Sequence, residues 1–354
     1  ENFNPKPTDL ITIIYTSGTT GLPKGVVHNF HAFSYAATWA LSELPELGND
    51  ERFFSYLPLS HIAERMLVEM GGLYCGATIS FAESLDLFAA NLKDTQPTIF
   101  LAVPRIWTKF QMGILSKMPQ SRLDLLLKIP IINNLIKNKI KQGLGLDKAK
   151  YLLTGAAPMP IATMLWFEKI GFIINEAYAM TENCAYSHLS RGNKRKPGSV
   201  GTPLPNVQVR LSEEGEIQVK SDATMVEYYK EPEKTKETIT ADGYLCTGDE
   251  GKIDSEGYLK ITGRVKDIFK TDKGKYVAPA PIELALSKNT YIEQVCVVGA
   301  NLPQTMALVV LSADGKAEEK EALCESLEAT MKEVNEILDK HEKIKKMVVM
   351  RDEW

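Results

Sequence analysis

"YTSGTTGLPKGVVH", residues Tyr15 to His28, is the stretch on which the reading of the fold turns. Four Ser/Thr hydroxyls and three glycines fall within the eleven positions from Tyr15 to Gly25, directly after the apolar run "LITIIY". A strand that runs into a Gly/Ser/Thr loop and then a helix gathers amides, hydroxyls and the positive helix end around phosphate oxygens. Lys24 adds a mobile point charge. Each hydrogen bond to a charged oxygen contributes roughly 1.5–3 kcal/mol, so several together hold a triphosphate. A Walker A loop, G-x-x-x-x-G-K-[ST], does not fit: Leu22-Pro23 separate Gly21 from Lys24, and Gly25 follows the lysine. The remaining alternative is a flexible polar surface loop, and the density of donors argues against it.

The chain around this stretch has 354 residues, enough for a large core and two or more folding units. A hydrophobic content of 44% and a charged content of 24% are ordinary for a globular protein, and a formal net charge of −4 leaves no nucleic-acid footprint. Five cysteines (Cys75, Cys184, Cys246, Cys296 and Cys324) form no CxxC pair and are odd in number. That points to reduced thiols in a cytoplasmic setting and away from a disulfide scaffold or zinc site. No apolar run reaches membrane-spanning length and no signal peptide is visible. The chain opens at Glu1 without Met, so either end is a candidate cut.

After the opening strand, "HAFSYAATWALSEL" from His31 carries a helical pattern. "RFFSYLPL" from Arg52, "PTIFLAVP" from Pro97, "AKYLLTG" from Ala149 and "GFIINEAYAM" from Gly171 read as strands. Strands alternating with helices predict a mostly parallel sheet with helices on its faces, hence a layered α/β part over residues 1–197. Over residues 198–266 the texture changes. "GSVGTPLPNVQVRL", "GEIQVKS" and "GYLKITGR" are short alternating strands between Gly, Pro and Glu-Gly turns, as in a small β-barrel-like or antiparallel subdomain. Residues 267–354 read as a smaller α+β C-terminal domain, with a boundary near Asp267. A helix over roughly 317–343 carries Leu323, Leu327, Met331, Val334 and Leu338 on a helical period.

With these elements in view, six short stretches form an ordered set. "YTSGTTGLPKG" resembles the phosphate-loop signature of the acyl-adenylating superfamily, and "YAMTEN" (Tyr178 to Asn183) its Tyr-Gly-x-Thr-Glu motif. "YLCTGDEG" (Tyr244 to Gly251) resembles its Thr-Gly-Asp motif, and "GRVKDIFKTDKGKYVAP" (Gly263 to Pro279) its hinge motif. "YLPLSH" (Tyr56 to His61) and "TGAAPMP" (Thr154 to Pro160) match two more. "VPRIW" (Val103 to Trp107), a long helical insertion after it, and "KYVAPAPIE" (Lys275 to Glu283) look like the long-chain fatty acyl-CoA synthetase branch.

The resemblance implies a two-step ligase. A fatty acid and ATP give acyl-adenylate and pyrophosphate, and CoA then displaces AMP to give acyl-CoA, with Mg2+ assisting. By resemblance, Thr16, Ser17, Gly18, Thr19, Thr20, Gly21 and Lys24 wrap the β and γ phosphates. Tyr178 lies against adenine, and Gly155, Ala156, Ala157, Glu176 and Ala177 complete the nucleotide site. Thr181 contacts the α-phosphate and Glu182 ligates Mg2+; with Lys24 these are the catalytic candidates. The chemistry is consistent, since a carboxylate attacking a phosphate brings two anions together and needs a metal and fixed donors. Taken alone, Thr-Glu is more often a helix cap than a ligand; its place after an apolar strand, with the other motifs, reverses that. Asp249 and Arg264 hold the ribose, and Asp267 is the hinge about which a small domain turns between half-reactions; by themselves Asp249 and Asp267 are ordinary turn residues.

On the acyl side, the resemblance gives His61, Trp107, Ala177 and Ala179. His61 either lines the site or caps a strand end, and Trp107 is either the gate of the acyl tunnel or a core aromatic. Ala177 and Ala179 stand where the family commonly has glycines, which narrows the pocket. His28 and His31, three apart, imitate a metal pair but have no third ligand beside them, so a helix start is the reading taken. The segment Lys117 to Lys141 holds six basic residues and one acid among apolar ones, and reads as a solvated helix pair or a contact with an anionic membrane.

The family has a substantial α/β portion before the phosphate loop and a late lysine in a Pro-Thr-x-Lys context. This chain begins near the loop and stops at "MVVMRDEW", so both ends are expected to be truncated and adenylation by the chain as given poor. Three alternatives stay open: adenylation of another acid or transfer to a carrier-protein thiol, a degenerate nucleotide-binding module, and a phosphate-loop kinase, which the Leu22-Pro23 spacing weakens. Partners beyond small-molecule substrates, and the oligomeric state, are not legible.

Overall fold

In the computed structural model, which describes residues 4–16, 23–191 and 195–351, the run "LITIIYT" is the strand Leu10–Thr16. It pairs antiparallel with Lys24–Asn29, Thr16 opposite Lys24 and Tyr15 opposite Gly25. The two-residue strand Glu227–Tyr228 adds to the other edge of Lys24–Asn29. This corrects the strand–loop–helix expectation: the loop joins two strands of a small antiparallel sheet, and the helix begins only at Phe30. Ser17, Gly18, Thr19, Thr20 and Gly21 lie outside the described residues. Helix Phe30–Ser42 is capped by Asn29, whose Oδ1 accepts from the Ala32 amide at 2.9 Å. It buries Ala32, Phe33, Ala36 and Ala37 on one stripe.

Seven further strands form the central sheet, in the order Thr78–Phe81, Arg52–Ser55, Ile99–Ala102, Tyr151–Thr154, Ile174–Tyr178, His188–Leu189, Thr202–Pro203. The first five are parallel, as the alternation of strands and helices implies, and the last two antiparallel. The apolar runs of the four inner parallel strands are buried on both faces because successive side chains point to opposite sides, whereas the edge strand Thr78–Phe81 is largely exposed. Phe54, Phe100, Leu152 and Ile174 face a core with Trp107, Phe167 and Phe172, while Phe53, Ile99 and Leu153 face another with Leu44 and Val68. Gly201, at φ +86°, lets the last turn pass close to its neighbour: a Cβ there would stand 2.2 Å from the Leu189 carbonyl oxygen.

The insertion after "VPRIW" is three helices, Pro104–Lys117, Gln120–Leu127 and Pro130–Leu144. Pro130 splits the basic segment by opening a helix, the position where its missing N–H costs least. Leu123 is fully buried, whereas Pro130–Leu144 buries no residue completely.

Contacts divide the chain into two compact units: Glu1–Arg210 with Gln218–Thr247 and Ile253–Leu259, and Leu211–Ile217 with Gly248–Lys252 and Lys260–Trp354. The β-rich segment holds the strands Gln208–Leu211, Glu216–Lys220, Leu245–Ile253 and Leu259–Arg264 in that order. Among the described residues no barrel closes, which corrects the barrel-like expectation for this segment. The second unit also holds the sheet Ile292–Val298, Thr305–Leu311, Ile344–Val349, with one antiparallel and one parallel pairing. Its helix Lys320–Ile337 turns Leu327 and Val334 inward. No helix among the described residues is long and apolar enough to cross a membrane.

Candidate active site

Strand Ile174–Tyr178 ends in a single 3-10 turn, Thr181–Asn183. Asn183 holds the turn by accepting from the Met180 amide at 3.0 Å, and the Met225 amide donates to the Glu182 carbonyl at 2.7 Å. Cys184 and Ala185 follow in the left-handed region, φ 53° and 54°, which residues with a Cβ adopt at a cost of about 1–3 kcal/mol each. Ala156, at φ 65°, repeats this in the "TGAAPMP" loop. Such outliers persist only where surrounding contacts impose them.

A polar relay joins the turn to the small sheet. Lys24 Nζ donates to the Tyr228 hydroxyl at 3.2 Å, and that hydroxyl donates to Glu182 Oε1 at 2.7 Å. Lys24 Nζ also stands 4.5 Å from the Tyr228 ring centre, in cation–π range. Tyr228 and Glu182 are 2% and 5% exposed. Burial, reinforced by the Glu182 charge, pushes the Tyr228 phenol far above its ordinary range, so it remains a donor.

His28 braces the same turn from behind. Its Nε2 lies 2.8 Å from the Thr181 carbonyl oxygen, which only accepts, so Nε2 carries the hydrogen. Nδ1 is then a lone pair, and the Cys184 thiol 3.2 Å away donates to it. Burial lowers the His28 pKa to about 4, with the Thr181 bond opposing. The helix-start reading is therefore corrected for His28, which belongs to a strand; His31, in the helix, stands 3.4 Å from Asp222.

Beside the turn lies an apolar cavity of about 280 Å³. Gly155, Ala156, Ala177, Ala179 and His61 all line it, with Leu41, Ile62, Met66 and Leu204. His61 is exposed, and its Nδ1 accepts from the Ala63 amide at 3.2 Å. Met66 and Leu67 come from a seven-residue π-helix, Glu64–Met70, a local form frequent at functional sites. Trp107 does not line the cavity. It is wholly buried, edge-on to Phe100, Phe110 and Phe167, with Nε1 donating to the Leu153 carbonyl at 3.3 Å. The gate expectation gives way to the core-aromatic alternative, because the helix opened by Pro104 turns this position inward.

Glu176 is 5% exposed, and its Oε1 accepts from the Met159 amide at 3.2 Å, tying the "TGAAPMP" loop to the strand. Burial raises its pKa to about 7, against the lowering effect of that bond. Ala157 is exposed and Tyr178 nearly buried. In the second unit, Arg264 Nε pairs with Asp249 Oδ1 at 3.0 Å, and Asp267 is exposed in the turn that follows, its amide donating to the Arg264 carbonyl at 3.1 Å. The sequence reading had no role for Tyr228 or Cys184, and misread His28.

Residues 1–229 match the AMP-binding enzyme family, and residues 266–353 match the AMP-binding enzyme C-terminal domain. The chain belongs to the AMP-binding enzyme family. It is 34% identical over 353 residues to long-chain-fatty-acid–CoA ligase 5 of Rattus norvegicus, covering 88% of this chain and 51% of the relative. It is 33% identical over 343 residues to the peroxisomal long chain acyl-CoA synthetase 6 of Arabidopsis thaliana, covering 87% and 48%. Among solved structures, ATP-bound MatB from Rhodopseudomonas palustris superposes with a TM-score of 0.75 at 25% identity, covering 99% of this chain and 66% of that one. The anthranilate CoA ligase AuaEII in complex with anthranoyl-AMP shares the fold, with a TM-score of 0.76 at 20% identity, covering 98% and 64%. The chain thus spans about half the length of these curated relatives.

Proposed function

We propose that the complete protein activates a long-chain fatty acid with ATP and passes it to CoA. A carboxylate oxygen attacks the α-phosphorus and pyrophosphate leaves; the CoA thiol then attacks the acyl carbon and AMP leaves. The observation that carries this reading is the adjacency of two environments: an apolar cavity lined by Ala177 and Ala179, and the Thr181–Asn183 turn that follows within the same seven residues of chain.

Lys24, with the loop residues Thr16 to Gly21, binds the β and γ phosphates; Thr181 faces the α-phosphate. Tyr178, Gly155, Ala156, Ala157, Glu176 and Ala177 form the adenine side, and Asp249 with Arg264 the ribose side. Glu182 suits Mg2+: a buried carboxylate, with one oxygen fixed by Tyr228 and lone pairs left on the other, is the single protein ligand that this ion commonly takes alongside substrate phosphates. When bound, Mg2+ supplies positive charge against the anionic phosphates. Alignment of the two reactants supplies roughly 7–11 kcal/mol more. His61 and Ala179 border the acyl chain. Residues 1–197, 198–266 and 267–354 act as the α/β part, the β-rich subdomain and a mobile C-terminal domain, with Asp267 as the hinge.

The reading includes a cytoplasmic location and peripheral contact with an anionic bilayer through the basic helix pair. There Leu125, Ile131 and Leu135 are 62%, 88% and 67% exposed among lysines. A second reading, activation of a smaller acid, draws on the cavity volume, which lies at the lower edge of ligand-pocket sizes. Product analysis tests the proposal: the complete gene product, given ATP, CoA and hexadecanoic acid, should form AMP and hexadecanoyl-CoA. Formation of ADP, or of no thioester with any acid, contradicts it.

A further inference from the structure

Alternate side chains of the strand Lys24–Asn29 point to one face, which therefore carries Lys24, Val26 and His28. From that face Lys24 reaches the Tyr228 hydroxyl and, through it, the Glu182 carboxylate. Four residues further on, the wholly buried His28 ring meets the same turn with both nitrogens. Nε2 donates to the Thr181 carbonyl at 2.8 Å, and Nδ1 accepts from the Cys184 thiol at 3.2 Å. Thr181 opens the turn and Cys184 is the residue that caps its end, so a single rigid ring spans both ends with Glu182 between them.

The fold alone does not call for this ring. The Thr181 carbonyl already accepts from the Cys184 amide at 3.2 Å, and a thiol is a weak donor, so an apolar side chain in place of His28 would leave the turn its own bond. What the ring adds is direction. Cys184 and Ala185 lie in the left-handed region, a conformation that persists only where surrounding contacts impose it. We propose that His28 is a positioning residue for adenylation: its two hydrogen bonds fix the pitch of the Thr181–Asn183 turn, and so the directions in which Thr181 meets the α-phosphate and Glu182 the metal. This rests on the reading of that turn as the adenylating centre. His28 lies outside the cavity lining and acts only through the turn. A misplacement of about 1 Å at a reacting centre costs on the order of a hundredfold in rate.

The test is ATP–pyrophosphate exchange with hexadecanoic acid by the complete gene product, in wild type, His28→Leu and His28→Gln. Competent sites are counted in each protein by the single-turnover burst of acyl-adenylate, so that rates are read per folded, working site. In His28→Leu, kcat and kcat/KM per site should fall together by at least about tenfold, the pattern of an interaction that counts only in the transition state. His28→Gln, whose amide still donates to the Thr181 carbonyl, should recover most of that loss. An unchanged rate per site in His28→Leu overturns the proposal, even if its melting temperature or its count of competent sites drops, because the ring is then structural only. Equal losses in His28→Leu and His28→Gln overturn it as well. Both of these results leave the parent reading standing, since the wild type is active in each. Absence of exchange with every acid in the wild type overturns the parent reading, and this one with it.

Discussion

The Tyr228 hydroxyl donates to Glu182 Oε1 across 2.7 Å, tying a two-residue strand to a one-turn helix 46 residues away in sequence. Lys24, on the strand that Tyr228 pairs beside, completes the line. The carboxylate expected to meet the metal is thereby held by a neutral donor that is itself held by a cation.

Tyr228→Phe keeps the buried ring and deletes only this link. An outer partner of a metal-binding carboxylate typically costs 10–100-fold in metal affinity or activity when lost. Exchange rates measured against Mg2+ concentration in the complete gene product should therefore show a raised Mg2+ requirement and at least a tenfold lower rate. An unchanged Mg2+ curve contradicts the role given to Tyr228.

His28 predicts an acid-sensitive fold. Its pKa falls from 6.5 in the unfolded chain to about 4 in the fold. A depressed base contributes its full stability above pH 6.5 and loses it as the pH falls toward 4, because only the unfolded chain takes up the proton. Between pH 6.5 and 5 this amounts to on the order of 2 kcal/mol. Glu176 acts in the opposite sense: raised to about 7, its contribution is complete below its ordinary carboxylate range and is lost as the pH rises toward 7. In His28→Gln, which can still donate to Thr181, the melting temperature should fall less steeply on acidification than in wild type. Parallel curves contradict the assignment.

Trp107 separates packing from gating. Trp107→Ala removes a fully buried ring and should cost about 3–5 kcal/mol of stability. The milder Trp107→Phe should lower the melting temperature and leave the order of preferred acids unchanged. A shifted chain-length preference at an unchanged melting temperature restores the gate.

Ala179 addresses the cavity itself. Ala179→Leu adds methylenes to the lining, and each misplaced methylene is worth roughly 10–200-fold in discrimination. The ratio of kcat/KM for the longest to the shortest accepted acid should fall at least tenfold, and Ala179→Gly should shift it the other way. Identical ratios in all three proteins remove Ala179 from the acyl site.

How much of this was legible varies with the range of the interactions involved. The parallel strands carry their own signal, because "TIFLA" and "YLLT" are short apolar runs bounded by turn residues. Lys24, Thr181 and Glu182 stood out through residue types and order along the chain. What connects them did not, since Tyr228 reaches Glu182 only through a strand of two residues with no periodicity to read. "KGVVHN" was missed as a strand because the glycines before it drew the reading toward a loop entering a helix. For Trp107, a single local motif fits a tunnel wall and a core equally; only Phe100, Phe110 and Phe167, folded around it, decide.

The most direct test of the central claim is carboxylate-dependent ATP–pyrophosphate exchange across straight-chain acids from butanoic to octadecanoic, on the complete gene product with these 354 residues beside it. The account predicts exchange by the complete protein that is strongest with dodecanoic to octadecanoic acids and lost in Glu182→Gln. Bound ATP with no carboxylate-dependent exchange would contradict it and leave a nucleotide-binding module.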